Sequence, residues 1–330
     1  MNRGCSLYQV KVPGSIMLFG EHAVLYGEAA IVAAVNRYLI ISLNPRSDQM
    51  VRVVSSGFAD WQGDLSEIDK MSEKLNYLRE ALRSYRDVLS SGLDLIIDAV
   101  GFSSRVGLGS SAAVTVGVVA LLERLSSGSV PDSYQVYQKA LAIVHRISPM
   151  ASGADVAASV YGGVNLYSLG HISKQQCRIE RLVLKTELPI FLCYVGYKVV
   201  TALVIKHVQD FFANKPQLLL AITNTIGILV LQAKQAMLRG DWKLLGELML
   251  VHHGLQVSMA TCDAQLSKIV YQLCQCSGVY GAKISGSGLG DCVWGLGELS
   301  DNDKLLSGTL IDVEVSDEGL VFLHTKENIC

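Results

Sequence analysis

Apolar and polar positions change their rhythm several times along the chain, and each rhythm predicts an element. Tyr8 to Val12 alternates, Pro13-Gly14 interrupts the run, and Ile16 to Phe19 resumes it as far as Gly20, which reads as strand, turn and strand. Ala29 to Val35 is small and apolar, and Tyr38 to Leu43 and Met50 to Ser55 are rich in β-branched and aromatic residues, so an antiparallel sheet is expected. From Leu65 to Leu89 the positions Leu65, Ile68, Met71, Leu75, Leu78, Leu82 and Tyr85 recur at spacings of three and four. This predicts one amphipathic helix, followed by a strand at Leu93 to Val100.

Two further helices are predicted at Ser111 to Leu125 and Ser133 to His145, then a helical stretch through Asp155-Val156-Ala157-Ala158 that Gly162-Gly163 stops, and a strand at Val164 to Tyr167. The polar stretch Leu169 to Glu180 marks the expected crossing between domains, 1–180 and 181–330. The second half predicts a strand at Ile190 to Val195 and helices near Thr201 to Ala213, Gln217 to Arg239, Trp242 to Leu255 and Asp263 to Ser277. Strands around Asp291 to Leu296 and Val313 to Leu323 close an α+β arrangement. There is no internal repeat.

Composition narrows the class. The chain has 330 residues, 50% hydrophobic and 18% charged, which excludes a disordered chain and suits two packed domains. A net charge of -2, with no basic run interleaved with aromatics, argues against nucleic acid as a partner. Cys5, Cys177, Cys193, Cys262, Cys274, Cys276, Cys292 and Cys330 lack the paired spacing of a zinc site and read as reduced thiols. Met1 to Val12 carries no secretory pattern, so a cytoplasmic protein is expected. Val106 to Leu122 and Leu218 to Ala233 are apolar, but each carries hydroxyl or amide residues and is read as a buried helix, with no membrane span.

The candidate chemistry begins at Ser104-Arg105-Val106-Gly107-Leu108-Gly109-Ser110-Ser111-Ala112. Glycines directly before a strong helix let the backbone wrap an anion, and a helix N-terminus attracts phosphate. One serine can cap the helix and another can ligate magnesium. The motif is neither a Walker A loop, which needs Gly-Lys before the hydroxyl residue, nor a Rossmann fingerprint. On spacing alone, a glycine turn with a serine cap explains it equally well.

Three other segments add to this loop. Val12-Pro13-Gly14-Ser15-Ile16-Met17-Leu18-Phe19-Gly20-Glu21-His22-Ala23-Val24-Leu25-Tyr26-Gly27 resembles the first motif of the GHMP kinases, the superfamily of galactokinases, homoserine, mevalonate and phosphomevalonate kinases. The glycine loop resembles their second motif, and Gly281-Ala282-Lys283-Ile284-Ser285-Gly286-Ser287-Gly288-Leu289-Gly290-Asp291-Cys292 resembles their third. Between them, Ser152-Gly153-Ala154-Asp155 with Tyr161-Gly162-Gly163 resembles the segment that carries the catalytic aspartate. The four segments occur in family order across nearly the whole chain. The resemblance implies the two-domain GHMP kinase fold: an N-terminal ATP-binding domain like the second domain of ribosomal protein S5, and a ferredoxin-like C-terminal domain, with the site between them.

The resemblance also implies roles. Gly107, Leu108, Gly109, Ser110, Ser111 and Ala112 would surround the phosphates of ATP, with Ser111 on Mg2+. Asp155 would accept or orient the proton of the attacking hydroxyl, and Ser15, Glu21, His22, Thr201, Gly286 and Ser287 would lie along the substrate. Two positions depart from the pattern. Ser15 stands where the family places a lysine, for which Arg105, Lys198 and Lys283 are candidate replacements, and Val144 stands where mevalonate kinases place a magnesium-binding glutamate.

The expected activity is ATP-dependent phosphorylation of (R)-mevalonate, because Gly20-Glu21-His22-Ala23-Val24 and Ala34-Val35-Asn36-Arg37 resemble that branch. Phosphomevalonate kinase is the alternative, since Gly153-Ala154-Asp155-Val156-Ala157-Ala158 and Gly290-Asp291-Cys292 are closer to its phrasing. A GHMP-fold binding protein with weakened catalysis is a third reading, motivated by Ser15 and Val144. A homodimer is plausible by the same resemblance.

Overall fold

The computed structural model describes residues 8–102, 106–169, 177–300 and 307–323. The alternating start forms one strand, β1 (Tyr8–Phe19), in which Pro13-Gly14 produces a register shift and leaves the strand unbroken. Its partner β2 (Ala29–Pro45) is 17 residues long and joins the two predicted strands. Its first part pairs with β6 (Val164–Ser168), and its second, from Tyr38, pairs antiparallel with β5 (Leu93–Val100). β3 (Met50–Ser55) lies parallel to β5 and antiparallel to β4 (Trp61–Asp64).

The single helix predicted over Leu65 to Leu89 is broken in the structure. Leu65–Lys70 is a 3-10 turn whose start is fixed by a capping box between Asp64 and Glu67, and Met71 and Ser72 are extended. Only α1 (Asn76–Tyr85) is α-helical.

On one face of this sheet pack α2 (Ser110–Ser127), α3 (Ser133–Ile147) and α4 (Ala154–Tyr161). α2 is buried from Ala112 through Glu123, as expected of a central core helix. The polar stretch predicted as the crossing is in part a strand: β7 (Arg178–Leu182) pairs with β6, so the larger sheet continues to Leu182. Residues 170–176 of that stretch lie outside the described residues.

The second layer is a four-stranded antiparallel sheet in the order β11 (Thr309–Asp312), β8 (Ile190–Tyr194), β10 (Cys292–Gly297), β9 (Val279–Ser285). It is covered by α7 (Trp242–Ser258) and α8 (Ala264–Cys274), with α5 (Thr201–Phe212) and α6 (Pro216–Arg239) alongside. α6, expected as a buried helix over Leu218 to Ala233, is buried along one side. It is long and apolar enough to cross a membrane, but 44% of its apolar window is buried inside the protein: Ile222, Ile226, Val230 and Met237 face the core, while Leu218, Leu220, Ile228 and Leu231 are exposed.

The chain finally returns to the first sheet, where β12 (Val321–Leu323) pairs with β1. The layers meet where the β9–β10 hairpin crosses β1. Trp294 Nε1 donates to the Leu18 carbonyl at 3.2 Å, and Ser285 Oγ donates to the Met17 carbonyl at 3.0 Å. The first and third motifs of the sequence therefore meet on one seam.

Candidate active site

A cleft of about 250 Å³ opens along that seam, walled by the start of α2, the start of α4, the turn after β1 and the β9–β10 turn. Gly109, at φ 65°, is the N-cap of α2 and has no side chain with which to cap it. The first-turn N–H groups of Ser110, Ser111 and Ala112 have no carbonyl inside the helix to bond, so they form an anion-seeking edge of the cleft. The alternative reading, in which a serine side chain caps the helix from the N-cap position, does not hold.

Leu108 departs from its expected place. Its side chain is buried, its N–H donates to the Val106 carbonyl, and its own carbonyl accepts from Ser15 N–H at 3.0 Å. It anchors the loop to β1 and leaves its neighbours to face the cleft. Gly107 borders the cleft, and its N–H donates to Asp291 Oδ1 at 2.5 Å.

Asp155 sits in the first turn of α4, presented by the left-handed Gly153 before it. Ser15 Oγ donates to Asp155 Oδ1 at 2.8 Å. Ser15 itself is buried behind Gly109: a Cβ on Gly109 would fall 2.0 Å from the Ser15 oxygen. Burial pushes the Asp155 carboxyl up from the usual carboxylate range. The Ser15 hydrogen bond and the Lys198 charge work against this shift, and the Asp291 charge adds to it.

The first-motif turn presents Glu21 and His22 differently from one another. His22, in left-handed backbone at φ 60°, donates from Nε2 to the Ser287 carbonyl at 2.8 Å; a carbonyl can only accept, so Nδ1 is left as an acceptor. Burial lowers its pKa and keeps the ring neutral. Glu21 borders the cleft, yet its carboxylate turns inward to Lys283 Nζ at 2.6 Å. Lys283 also donates to the Ile284 carbonyl and is fully buried, so it offers no charge to the cleft. His252 Nε2 lies 3.6 Å from the second Glu21 oxygen, and burial with the Lys283 charge holds this histidine well below its ordinary value.

Thr201 at the start of α5, and Gly286 and Ser287 in the β9–β10 turn, line the cleft as expected. Val144 lines it too and supplies no oxygen; among the described residues no group of three or more His, Cys, Asp or Glu could hold a metal ion. Of the candidate replacements for the missing lysine, Arg105 lies outside the described residues and Lys198 faces the cleft, with Nζ 3.5 Å from Asp291 Oδ2. Asp291 is the functional candidate that residue patterns missed. Its only signal was a charged residue closing a glycine-rich turn.

Comparison with known proteins agrees with this geometry. The family model described as GHMP kinases N terminal domain matches residues 76–163, and that described as GHMP kinases C terminal matches residues 233–308. The mevalonate kinase of Methanothermobacter thermautotrophicus is 30% identical over 287 residues, covering 85% of this chain and 87% of that protein. Further mevalonate kinases match at 26 to 29% identity. Among solved structures, L. major mevalonate kinase in complex with R-mevalonate superposes with a TM-score of 0.76 at 24% identity, over 94% of this chain and 96% of that one. Streptococcus pneumoniae phosphomevalonate kinase, in complex with phosphomevalonate and AMPPNP, gives 0.78 at 18%, over 93% and 99%. These two likenesses establish the fold alone. With both family models in order around the cleft, and a relative at this identity over most of its length, the chain belongs to the GHMP kinases and is a small-molecule kinase.

Proposed function

We propose that the chain transfers the γ-phosphoryl group of ATP to the primary hydroxyl of (R)-mevalonate, giving 5-phosphomevalonate and ADP. The observation that carries the reading is the Asp155 carboxylate on the cleft wall, tied by Oδ1 to Ser15 and facing the uncapped N-terminus of α2. Ser15 fixes the rotamer of Asp155 and leaves its second oxygen for the acceptor. The acceptor oxygen attacks the γ-phosphorus and its proton passes to Asp155; the bond from that phosphorus to the bridging oxygen breaks, and the electron pair leaves with ADP. The N–H groups of Ser110, Ser111 and Ala112 hold phosphate oxygens.

The donor set fits magnesium only as an ion brought in on the nucleotide: the Ser111 hydroxyl would hold it together with phosphate oxygens, while Val144 contributes nothing. Bound there, it would neutralise charge on the phosphates.

The charge of the cleft favours mevalonate over its phosphate. Among the described residues that line it, Lys198 is the single Lys or Arg, against the carboxylates of Asp155 and Asp291. A phosphorylated acceptor would bring close to two further negative charges beside ATP, with no second Lys or Arg among the described lining residues to meet them. The apolar side chains of Met17, Val24, Leu25 and Ile205 suit the methyl-bearing carbon chain, and Thr201, Ser287 and the free Nδ1 of His22 suit its oxygens. A coupled ADP-release assay with mevalonate and phosphomevalonate in parallel tests the reading. Turnover of phosphomevalonate alone would replace it by the alternative, and nucleotide binding without turnover of any acceptor would favour a binding protein.

A further inference from the structure

Asp291 comes from the third motif, yet its carboxylate lies on the phosphate loop of the second. Its Oδ1 takes the Gly107 N–H at 2.5 Å, and its Oδ2 is 3.5 Å from Lys198 Nζ. The approach is close enough to require a glycine: a Cβ on Gly107 would fall 1.8 Å from Asp291 Oδ2. Asp291 is held there in left-handed backbone, φ 72°, by its N–H on the Tyr197 carbonyl at 2.8 Å and by its own carbonyl on Val195 N–H at 2.9 Å. L-residues rarely adopt that conformation, so the carboxylate is positioned by the fold and not by chance rotation of a surface side chain.

A backbone N–H at the mouth of a helix and a lysine ammonium are the donors that a phosphate oxygen seeks. We propose that the Asp291 carboxylate holds the place of a nucleotide phosphate oxygen, and that Lys198 passes from Asp291 to the transferred phosphoryl group when ATP binds, supplying the positive charge that Ser15 cannot. The inference rests on the kinase reading given above. One N–H cannot serve both anions at full strength, and two anions at that spacing repel, so the incoming phosphate displaces the carboxylate. Lys198, on a half-exposed flexible stem just before α5, follows the larger charge. Lys283 cannot take this part, because it is fully buried on Glu21. During transfer the acceptor oxygen bonds to phosphorus, the bridging oxygen departs with its electron pair, and the acceptor proton goes to Asp155. Lys198 keeps all of its protons and contributes charge and hydrogen bonds alone. Lys198 lines the same cleft as Asp155, and its charge acts on that carboxyl.

The test uses the purified full chain and the variants Lys198→Met, Lys198→Arg and Asp291→Asn. Affinities for ADP and for the non-hydrolysable triphosphate AMPPNP are measured calorimetrically with magnesium and without acceptor, and kcat is measured with mevalonate. Lys198→Met is expected to lower kcat by about 10²- to 10³-fold, the usual effect of deleting one transition-state donor. It should also weaken AMPPNP more than ADP, with Lys198→Arg recovering part of both. Asp291→Asn is expected to tighten both nucleotides, since a neutral amide competes poorly for the Gly107 N–H. The proposal is overturned if Lys198→Met keeps wild-type kcat, if it weakens ADP and AMPPNP equally, or if Asp291→Asn weakens nucleotide binding. If the wild-type chain turns over no acceptor, the functional reading fails, and the two nucleotide affinities still decide the role of Lys198.

Discussion

Replacing Lys283 by Met tests how the two layers are joined at the cleft. Lys283 is 0% exposed and Glu21 2%, with 2.6 Å between the charged atoms. The second Glu21 oxygen and both ring nitrogens of His252 have no hydrogen-bond partner among the described residues. The variant therefore strands a buried carboxylate whose remaining partners are neutral: the backbone N–H groups of Glu21 and Gly286, and a histidine 3.6 Å away. Removing one member of a buried pair costs about 3 to 5 kcal/mol, a large part of the 5 to 15 kcal/mol that usually separates folded from unfolded chains. The loss should depend on pH. Burial already raises Glu21 above its ordinary value, and the Lys283 charge opposes that rise, so without Lys283 the folded-state pKa goes higher still. The folded state then binds more protons than the unfolded one above the ordinary value near 4.5, and the deficit grows as pH rises through the folded value. Loss of the Lys283 charge also lets His252 take a proton more readily at the acid end. Urea unfolding at about pH 5.5 and about pH 8 measures this, alongside the double variant Glu21→Gln, Lys283→Met, which removes both charges and should recover most of the loss. An equal deficit at both pH values, or a double variant less stable than the single, would refute the reasoning.

Asp155→Asn is expected to cut kcat by about 10²- to 10⁴-fold while AMPPNP affinity is retained; full turnover would remove Asp155 from its assigned part. Because burial raises Asp155, the acid limb of kcat/KM should fall above the ordinary carboxylate value of about 4, with activity lost as pH drops through it. Ser15→Ala removes a hydrogen bond that favours the ionised form, so it should move that limb to higher pH; a limb unmoved or shifted toward acid contradicts the arrangement. Gly109→Ala puts a methyl group 2.0 Å from Ser15 Oγ at φ 65°, where a left-handed non-glycine residue costs about 1 to 2 kcal/mol. A lower midpoint of thermal unfolding and loss of most activity are expected, and a fully active variant would show that the Ser15 to Asp155 bond is dispensable.

Long periodic segments were legible in the sequence because one property, the burial of an apolar face, determines them. α3, α5 and α8 follow their periods closely, while α2, buried on every side, was legible from its unbroken apolar run. The segment after Leu65 did not, although its apolar spacing runs unbroken to Tyr85. Periodicity records which side chains turn inward, and it is blind to the Asp64 capping box and the extended Met71 and Ser72 that divide the backbone. β7 was hidden for another reason. Arg178, Glu180 and Arg181 make it read as loop, and charged residues are what a strand at a sheet edge carries to avoid pairing with other chains. The strand predicted at Val313 to Leu323 is realised only as a bridge at Val315 and at its end as β12, because pairing there depends on partners in β1 and β2, far away in sequence.

The four motif segments named the walls of the site, and their mutual contacts were out of reach of any local pattern. Ser15 meets Asp155 across 140 positions, Gly107 meets Asp291 across 184, and Glu21 meets Lys283 across 262. Seen as a motif position, Ser15 is a lost charge. In the folded chain it is a short donor that packs against Gly109, where a Cβ would collide with its hydroxyl, and orients the carboxylate. The two tasks that a lysine at this position would combine, orienting the base and neutralising phosphate, are on this reading divided between Ser15 on β1 and Lys198 from the opposite layer. That division makes the charge movable: a lysine fixed beside Asp155 would be present with or without nucleotide, whereas Lys198 has Asp291 to hold it until a phosphate arrives.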